Sequence, residues 1–427
     1  MSVAGLLFLI FAILLLLNVP IALSLGLSSI VAMIAAGTPM IMLPMNVYSS
    51  IGKFTLLAIP FFVFAGNVME KAGISERLIN LANKAVGHKK AGLAIVCVIT
   101  SCFFAAISGS GPATVAALGV IVIPAMIKAG YDPGMSSALM ATSGAIGIII
   151  PPSITYVIYG AIAGVSIGKT FVAGIIPGIL MGIALIIACV IMVRKQDLER
   201  QEKASPNEVW KAFKEAIWGL LMPVIILGGI YGGYFTPTEA AAVSAVYGII
   251  VGVLIYKEVN AKDLYKILVE SAVQSAVVMI IVACASLFAW IVTTEGIAAM
   301  ISNYLLQISN SQFVFLLIVN IVLLIAGCFI DAASALYIFV PIMLPVALQL
   351  GYDPIAFGIV MTMNLAIGQV TPPVGVNLYV ACGISKISLK EISRKVMPFV
   401  LASIIALLLV TYIPQLSLWL PNIMKMK

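Results

Sequence analysis

The sequence predicts an all-α polytopic membrane protein with two repeated halves, re-entrant helical hairpins and discontinuous helices. Composition is the first reason, because 63% of the residues are hydrophobic and 9% are charged, whereas about 25% of a soluble domain is charged. An internal repeat is the second reason, and a proline pair inside apolar sequence in each copy is the third. No soluble core could bury so much apolar surface, so the chain belongs in a bilayer.

The repeat relates two segments that lie 221 positions apart. Interrupted apolar segments at matching positions of two halves are the best sequence indication of a transporter's binding site. Similarity alone does not distinguish parallel from inverted repeats, and we expect inverted ones. The matched residues are Pro124, Gly130, Tyr131, Asp132, Pro133, Ala145, Ile146, Gly147, Pro151, Pro152 and Pro177 with Pro345, Gly351, Tyr352, Asp353, Pro354, Ala366, Ile367, Gly368, Pro372, Pro373 and Pro398.

We expect three parts along the chain. Residues 1–195 form the first half, residues 196–216 form a linker with an interfacial helix, and residues 217–427 form the second half. Each half should contain scaffold helices, an interfacial arm, a hairpin and an unwound helix. By span length we predict roughly ten to twelve crossings in addition to the re-entrant hairpins.

The first half begins with an apolar stretch, residues 3–36, that contains Pro20. As one helix it would be about 51 Å long, which exceeds a hydrocarbon core of about 30 Å, so we predict two helices that meet at Pro20. No basic residue precedes Lys53, so we interpret this stretch as mature membrane sequence rather than a signal peptide. Residues 54–68 are apolar, and 70–90 have the amphipathic spacing of a helix at the membrane interface.

The second half begins with a similar unit, in which a break at Thr236 to Glu239 interrupts apolar sequence. Thr236 and Glu239 have the N-cap and N3 spacing of a capping box, with Pro237 at the first helical position. We therefore interpret Glu239 as a structural residue. Amphipathic stretches at 207–217 and 260–270 predict further interfacial helices.

Charge and motif content exclude several classes of function. The net charge of +7 comes from short basic runs between apolar stretches, which is typical of cytoplasmic membrane-flanking loops and not of a nucleic-acid surface. The sequence contains no Walker A, GxSxG, HExxH or GxGxxG motif. It has a single histidine, His88, and six cysteines without a CxxC pair, so an embedded enzyme or a cysteine–histidine metal site is not expected. A passive channel would need a continuous polar stripe along its helices. The sequence shows no such stripe, so a channel is not expected.

The first polar break is Ser108-Gly109-Ser110-Gly111-Pro112-Ala113-Thr114. Backbone that leaves helical geometry at membrane depth must face protein or a water-filled cavity, because lipid cannot satisfy its polar groups. The segment is therefore either the tip of a hairpin that lines a site or a close helix contact made by small residues.

The two proline pairs share the pattern Gly-x-x-x-Pro-Pro. Each proline lacks an N–H and clashes with the carbonyl four residues earlier, so the pairs should free the carbonyls of Gly147, Ile148, Gly368 and Gln369. Unwound carbonyl oxygens are hard ligands for Na⁺, and the following half-helix presents a positive end to an anion. A substrate anion must be met largely in this way, because no Lys or Arg lies in the apolar segments around the breaks.

Asp331 is a carboxylate within apolar sequence at the second polar break, and such residues are usually functional. It could ligate a cation, relay a proton or cap the helix that follows. At an offset of 223 it aligns with Ser108.

At these residues the chain resembles the large membrane subunit of TRAP (tripartite ATP-independent periplasmic) transporters, over essentially its whole length. The motifs that carry the resemblance are Asn18-Val19-Pro20-Ile21-Ala22, Ser108 to Thr114, Pro151-Pro152-Ser153, Thr236-Pro237-Thr238-Glu239-Ala240 and Gly368-Gln369-Val370-Thr371-Pro372-Pro373.

The resemblance implies a multi-pass subunit of the bacterial inner membrane that works by an elevator mechanism and is not an enzyme. Its expected partners are a separate small four-helix membrane subunit and a periplasmic substrate-binding protein, with Na⁺ as the coupling ion and a carboxylate as the substrate. We expect sialic acid, with a C4-dicarboxylate as the alternative; a stand-alone Na⁺/carboxylate transporter is a second alternative.

The resemblance also assigns site residues. The sodium sites map onto Ser108, Gly147, Ile150, Pro151, Pro152, Asp331, Gly368, Val370, Thr371 and Pro373. The substrate site maps onto Ser110, Gly111, Thr114, Ser153, Ser334, Gln369 and Asn377.

Overall fold

A computed structural model describes residues 2–194, 198, 202–308 and 311–424, which form helices and connecting turns without a strand. The helices of the first half follow one another closely, with 3₁₀ turns at Phe54–Leu57 and Ile146–Ile148. They are α1 Val3–Leu16, α2 Ile21–Ala35, α3 Met42–Ile51, α4 Ala58–Lys71, α5 Ile74–Val86, α6 Gly92–Ser108, α7 Gly111–Lys128, α8 Pro133–Ala145, α9 Ile154–Ala163 and α10 Ile167–Met192.

The second half repeats this order from its arm onward, and a π-helical segment at Ile250–Ile255 extends its second helix. Its helices are α11 Pro206–Tyr231, α12 Pro237–Ile249, α13 Ala261–Thr294, α14 Ile297–Ile308, α15 Gln312–Gly327, α16 Ala332–Gln349, α17 Pro354–Gly368, α18 Val376–Ser385, α19 Leu389–Tyr412 and α20 Gln415–Ile423. Within the described residues, eight helical spans are long and apolar enough to cross a membrane. The predicted all-α polytopic fold class is confirmed.

The helices pack as two groups. The support group consists of α1 to α4 and α11 to α13, where α4 packs on α12, and α13 packs on α2 and α4. The hairpin group consists of α6 to α10 and α15 to α20, where α10 and α8 pack on α19. Helices α5 and α14 connect the groups, because α5 contacts α6 and α11 while α14 contacts α16 and α13.

The two hairpins enter from opposite ends of α19. Hairpin 1 is α6 with α7, and at its open end Asp132 forms an ion pair with Lys395, near the start of α19, at 3.3 Å. Hairpin 2 is α15 with α16, and at its open end the Tyr352 hydroxyl donates to the carbonyl of Thr411, near the end of α19, at 2.9 Å. The 24 residues of α19 span about 36 Å, so the hairpins point toward each other and the repeats are inverted.

Basic residues gather at the face from which hairpin 1 enters. Lys90 donates to the Arg194 carbonyl beside the start of α6, and Lys84 pairs with Glu208 at the start of α11. At the opposite face, Lys53 donates to the Ala161 carbonyl at the end of α9, and Lys169 lies in the first turn of the following helix, α10. By the positive-inside rule we assign the basic face to the cytoplasm.

Several helix boundaries in the structure differ from the predicted ones. Residues 207–217 are the first turns of α11, and 260–270 are the first turns of α13, rather than separate interfacial helices, because each helix continues directly into the apolar sequence that follows. Helix α11 continues through Pro223. The predicted arm at 70–90 starts later, since α4 ends at Lys71 and Gly73, at φ +72°, precedes α5. In the predicted linker, residues 196, 197 and 199–201 lie outside the described part, as do 309 and 310 at the end of the second arm.

Two predicted details of the helix starts are confirmed. Helices α1 and α2 separate at Pro20. The Thr236 hydroxyl accepts from the Glu239 N–H, and the Glu239 carboxylate accepts from the Thr236 N–H at 2.8 Å. The capping interpretation of Glu239 is therefore correct.

Candidate functional site

The tip of hairpin 1 is a closed turn of small polar residues. Gly109, at φ +61°, reverses the chain, and Ser110 in extended geometry is the N-cap of α7. The buried hydroxyls of Ser108 and Thr114 lie 2.9 Å apart, and Thr114 donates to the Ser110 carbonyl at 2.8 Å. These contacts hold the three polar residues of the tip together.

The first break, residues 146–153, lies directly against this tip. A Cβ atom added at Gly147 would lie 2.7 Å from the Ser110 carbonyl oxygen and 2.8 Å from the Thr114 hydroxyl. A Cβ at Gly109 would lie 2.8 Å from the Pro152 carbonyl oxygen. Only glycine allows this approach, so the structure brings the predicted tip and the first predicted break into one site.

The second half contributes to the same site. A Cβ added at Gly111 would lie 2.6 Å from Gln369 Oε1 and 3.3 Å from Asn377 Oδ1. Asn377 is fully buried and donates to the Ala141 carbonyl at 3.1 Å. Both amide oxygens are buried without a donor within the described protein. Gln369 and Asn377 therefore face hairpin 1, although they follow the second proline pair.

The proline pairs remove helical hydrogen bonds as predicted, but three of the four freed carbonyls have other donors. Ile148 accepts from the Ser153 hydroxyl at 2.7 Å, Gly368 from the Thr371 N–H at 3.0 Å and Gln369 from the Asn377 N–H at 3.0 Å. Among the described residues no hydrogen bond ends at the Gly147 carbonyl. Of the four carbonyls that the prolines free, that of Gly147 is therefore the best candidate to bind an ion.

The other predicted residues of the breaks differ in exposure. Ile150 packs over Gly178, and Pro151 and Pro152 are buried, whereas Pro373 is exposed. The second break, residues 369–375, meets hairpin 2 through glycines, since a Cβ at Gly368 would lie 2.7 Å from the Gly327 carbonyl oxygen. Thr371 donates its hydroxyl to Ile367 at 2.7 Å, and no described donor reaches the carbonyls of Val370 and Thr371.

Asp331 is the N-cap of α16. Its Oδ1 accepts from the Ser334 N–H at 3.0 Å and its Oδ2 from the Ser334 hydroxyl at 2.6 Å. The alignment of Asp331 with Ser108 is wrong, because Ser110 is the N-cap of α7 and matches Asp331 at an offset of 221. The geometry supports the capping interpretation and brings Asp331 and Ser334 into contact with each other.

A cavity of about 490 Å³ separates the hairpin 1 tip from the support group. Ser108 and Ser110 line one wall, and Asn67, Glu70 and Gln274 line the other. The sequence analysis did not predict Asn67, Glu70 or Gln274 as site residues. The amides of Asn67 and Gln274 could have been noticed, because each lies within an apolar segment. An adjoining cavity of about 530 Å³ shares these three residues. It extends to the start of α13, and its lining mixes lysines and carboxylates: Lys71, Lys266, Glu76, Glu258, Asp263 and Glu270.

Inverted hairpins, broken helices and a cavity between two helix groups define a secondary transporter permease rather than an enzyme. The family model "Tripartite ATP-independent periplasmic transporter, DctM component" matches residues 8–416. The chain belongs to this family of large TRAP transporter permeases and is a multi-pass protein of the bacterial inner membrane.

Relatives of this family differ in the substrates in their names. The chain is 40% identical to the C4-dicarboxylate TRAP transporter large permease protein DctM of Rhodobacter capsulatus, over 97% of each chain. It is 40% identical to the sialic acid TRAP transporter large permease protein SiaM of Vibrio cholerae, over 87% of each chain. It is 43% identical to the isethionate TRAP transporter permease protein DctMQ of Oleidesulfovibrio alaskensis, over 96% of this chain and 65% of that relative's length.

A solved structure supports the fold. The YdaH transporter of Alcanivorax borkumensis superposes with a TM-score of 0.65 over 89% of this chain and 87% of that chain, at 14% identity. At this identity the likeness concerns the fold alone.

Proposed function

We propose that this protein is the translocating subunit of a Na⁺-coupled importer of an organic acid, with sialic acid favoured, that a periplasmic substrate-binding protein delivers. The observation that carries the proposal is the contact between the hairpin 1 tip and the first break. In this contact Gly147, whose carbonyl accepts no hydrogen bond from a described donor, packs against the Ser110 carbonyl oxygen and the Thr114 hydroxyl. Such oxygens at broken helices are the ligands that Na⁺ takes in secondary transporters.

The groups around Gly147 suit a hard cation such as Na⁺ better than a transition metal. The oxygens around Gly147 are neutral carbonyl and hydroxyl groups, and hard cations prefer oxygen ligands. Within the described residues no cluster of histidine, cysteine or carboxylate side chains could hold a metal ion. Ser108, Thr114 and Gly147 would hold one Na⁺, and the carbonyls of Val370 and Thr371 would hold a second near the Gly327–Gly368 contact.

Transport by this arrangement needs movement of one helix group against the other. The hairpin group carries the breaks, and the support group offers its apolar outer surface to lipid and to the expected small four-helix subunit. We propose that the hairpin group slides as an elevator, with α5 and α14 as the arms.

Uptake into proteoliposomes tests the proposal. The large and small subunits would be reconstituted with the binding protein, and uptake of N-acetylneuraminate, a sialic acid, would be measured in Na⁺ and in choline. We expect uptake in Na⁺ and its collapse in choline. Equal uptake in both salts would overturn Na⁺ coupling.

Two alternatives have different outcomes in the same experiment. A C4-dicarboxylate importer is equally supported by the named relatives and would take up succinate in place of N-acetylneuraminate. A stand-alone carboxylate transporter would work at the full rate when the binding protein is omitted.

A further inference from the structure

We infer that a buried pair of amides, Asn320 and Asn364, fixes the register of hairpin 2 against the broken helix α17 and so positions the second proposed sodium site. The inference rests on the proposed function and assigns two positioning residues to it. Neither amide is a proposed ligand of the ion. Both act on the ion through the backbone at the end of α17.

The two amides bond each other in the interior of the hairpin group. Asn364 is fully buried on α17, and its amide nitrogen donates to Asn320 Oδ1 on α15 at 2.8 Å. The Asn320 amide nitrogen donates in turn to Thr411 Oγ1 on α19 at 3.2 Å, and Thr411 is also fully buried. A chain of hydrogen bonds therefore joins hairpin 2, the broken helix and α19.

The amide pair lies in the same helix interface as the contact at the second break. On α15, Asn320 precedes Gly327 by about two helical turns. On α17, Asn364 precedes Gly368 by about one turn, so on each helix the amide and the glycine share a face. A Cβ added at Gly327 would lie 3.1 Å from the Gly368 Cα. Gly368 ends α17, and the proposed ligand carbonyls of residues 370 and 371 follow it, so a slip between α15 and α17 would displace them.

The amide pair contains one unsatisfied acceptor. Asn364 Oδ1 is buried and accepts from no donor in the part of the chain that the structure describes. An unpaired buried acceptor costs stability, and a well-packed apolar pair at the same place would avoid that cost. A polar pair between helices specifies one register, because sliding would leave both amides unpaired. Alignment, and not stability, is therefore the role that this arrangement suits.

The first half positions its hairpin in a different way. Ser143 matches Asn364 at the repeat offset of 221, and the thiol of Cys97 on α6 lies 4.0 Å from the Ser143 hydroxyl. A thiol is a weak hydrogen-bonding group, so this contact does not fix a register. The tip of hairpin 1 is held instead by the close approach of Gly147 to Ser110. Cys97 and Ser143 therefore provide a matched control for the amide pair.

Na⁺ titration of N-acetylneuraminate uptake, with both subunits and the binding protein reconstituted, tests the inference. Asn320→Leu combined with Asn364→Leu keeps side chains of similar size but removes the bonds that select the register. We expect the Na⁺ concentration for half-maximal uptake to rise about fivefold. The Hill coefficient for Na⁺ should fall, because only one of the two proposed ions is affected, and the unfolding temperature should not decrease. In the control, Cys97→Ala with Ser143→Ala, half-saturation should change less than about twofold.

Thr411 provides a second test that does not depend on the folding of the leucine pair. Thr411→Val keeps the shape of the side chain but removes the hydroxyl that accepts from Asn320, so half-saturating Na⁺ should rise about threefold. Thr411→Ser keeps the hydroxyl and should titrate as the unsubstituted protein does.

Three outcomes would overturn the inference. The first is unchanged half-saturation in a folded leucine pair, and the second is an equal shift in the Cys97 and Ser143 control. The third is identical titration of Thr411→Val and Thr411→Ser. Failure of the proposed function would look different, because uptake by the unsubstituted protein would then not depend on Na⁺ at all.

Discussion

Single residues decide how closely the hairpin 1 tip approaches the first break. Gly147 is buried and has no room for a Cβ, because the backbone oxygen of Ser110 and the hydroxyl of Thr114 occupy the position. Close packing of this kind does not yield to an added methyl group without displacement of the neighbours. The absence of a side chain at Gly147 therefore sets how closely the oxygens of Ser110 and Thr114 approach the first break, where the proposed sodium site lies.

Gly147→Ala should raise the Na⁺ concentration for half-maximal uptake at least about tenfold, because the tip must move away. Gly383→Ala is the control, since Gly383 lies in α18 and a Cβ there meets no atom within 4 Å. Na⁺ titration of uptake by both variants, with thermal unfolding to confirm folding, checks the prediction. Unchanged half-saturation in Gly147→Ala would remove this glycine from the site.

At the scale of elements, the two breaks share a sequence pattern but differ in hydrogen bonding. The first leaves the Gly147 carbonyl without a described donor, whereas the matching Gly368 carbonyl accepts from Thr371. The first is also buried under hairpin 1, and Pro373 in the second is exposed. Equivalent proline pairs therefore do not have equivalent hydrogen bonding or exposure.

Replacing the first proline of each pair separates the two breaks. Pro151→Ala restores an N–H that can bond the Gly147 carbonyl, so we expect a loss of Na⁺ affinity of about tenfold. Pro372→Ala should change it less than about threefold, because the Gly368 carbonyl already has a donor. Na⁺-dependent uptake of both variants measures the difference. Equal effects in the two variants would contradict the assignment of the stronger site to the first break.

At the scale of the whole molecule, the two helix groups meet where hairpin 1 touches α4 and where hairpin 2 touches α13. A Cβ added at Gly66 would lie 4.0 Å from the Ser108 Cβ, which is within the range of a disulfide. Within the support group, a Cβ added at Gly26 would lie 3.6 Å from that of Cys284. One pair therefore joins the groups, and the other stays inside one group.

A disulfide between Gly66→Cys and Ser108→Cys should lower uptake by at least about 90% relative to the same variant after reduction if the hairpin group must slide. The reduced variant is the reference because Ser108 is a proposed sodium ligand and its substitution lowers uptake by itself. Gly26→Cys paired with Cys284, in a chain without other cysteines, should cross-link without loss of uptake. Radiolabelled uptake before and after reduction measures both. Full activity of the first cross-linked protein would exclude the elevator movement.

The sequence by itself determined the membrane class, the repeat, the tip at Ser108 to Thr114, the proline breaks and the capping box at Glu239, because each depends on composition or on neighbours a few residues apart. Only the tertiary structure decided which elements of the two halves face each other. It placed Gln369 and Asn377 against hairpin 1, showed that the hairpins enter from opposite ends of α19, and set Asn67, Glu70 and Gln274 across a cavity from Ser110. These relations join residues that are far apart in sequence, and the packing of apolar helices that fixes them leaves no short-range pattern.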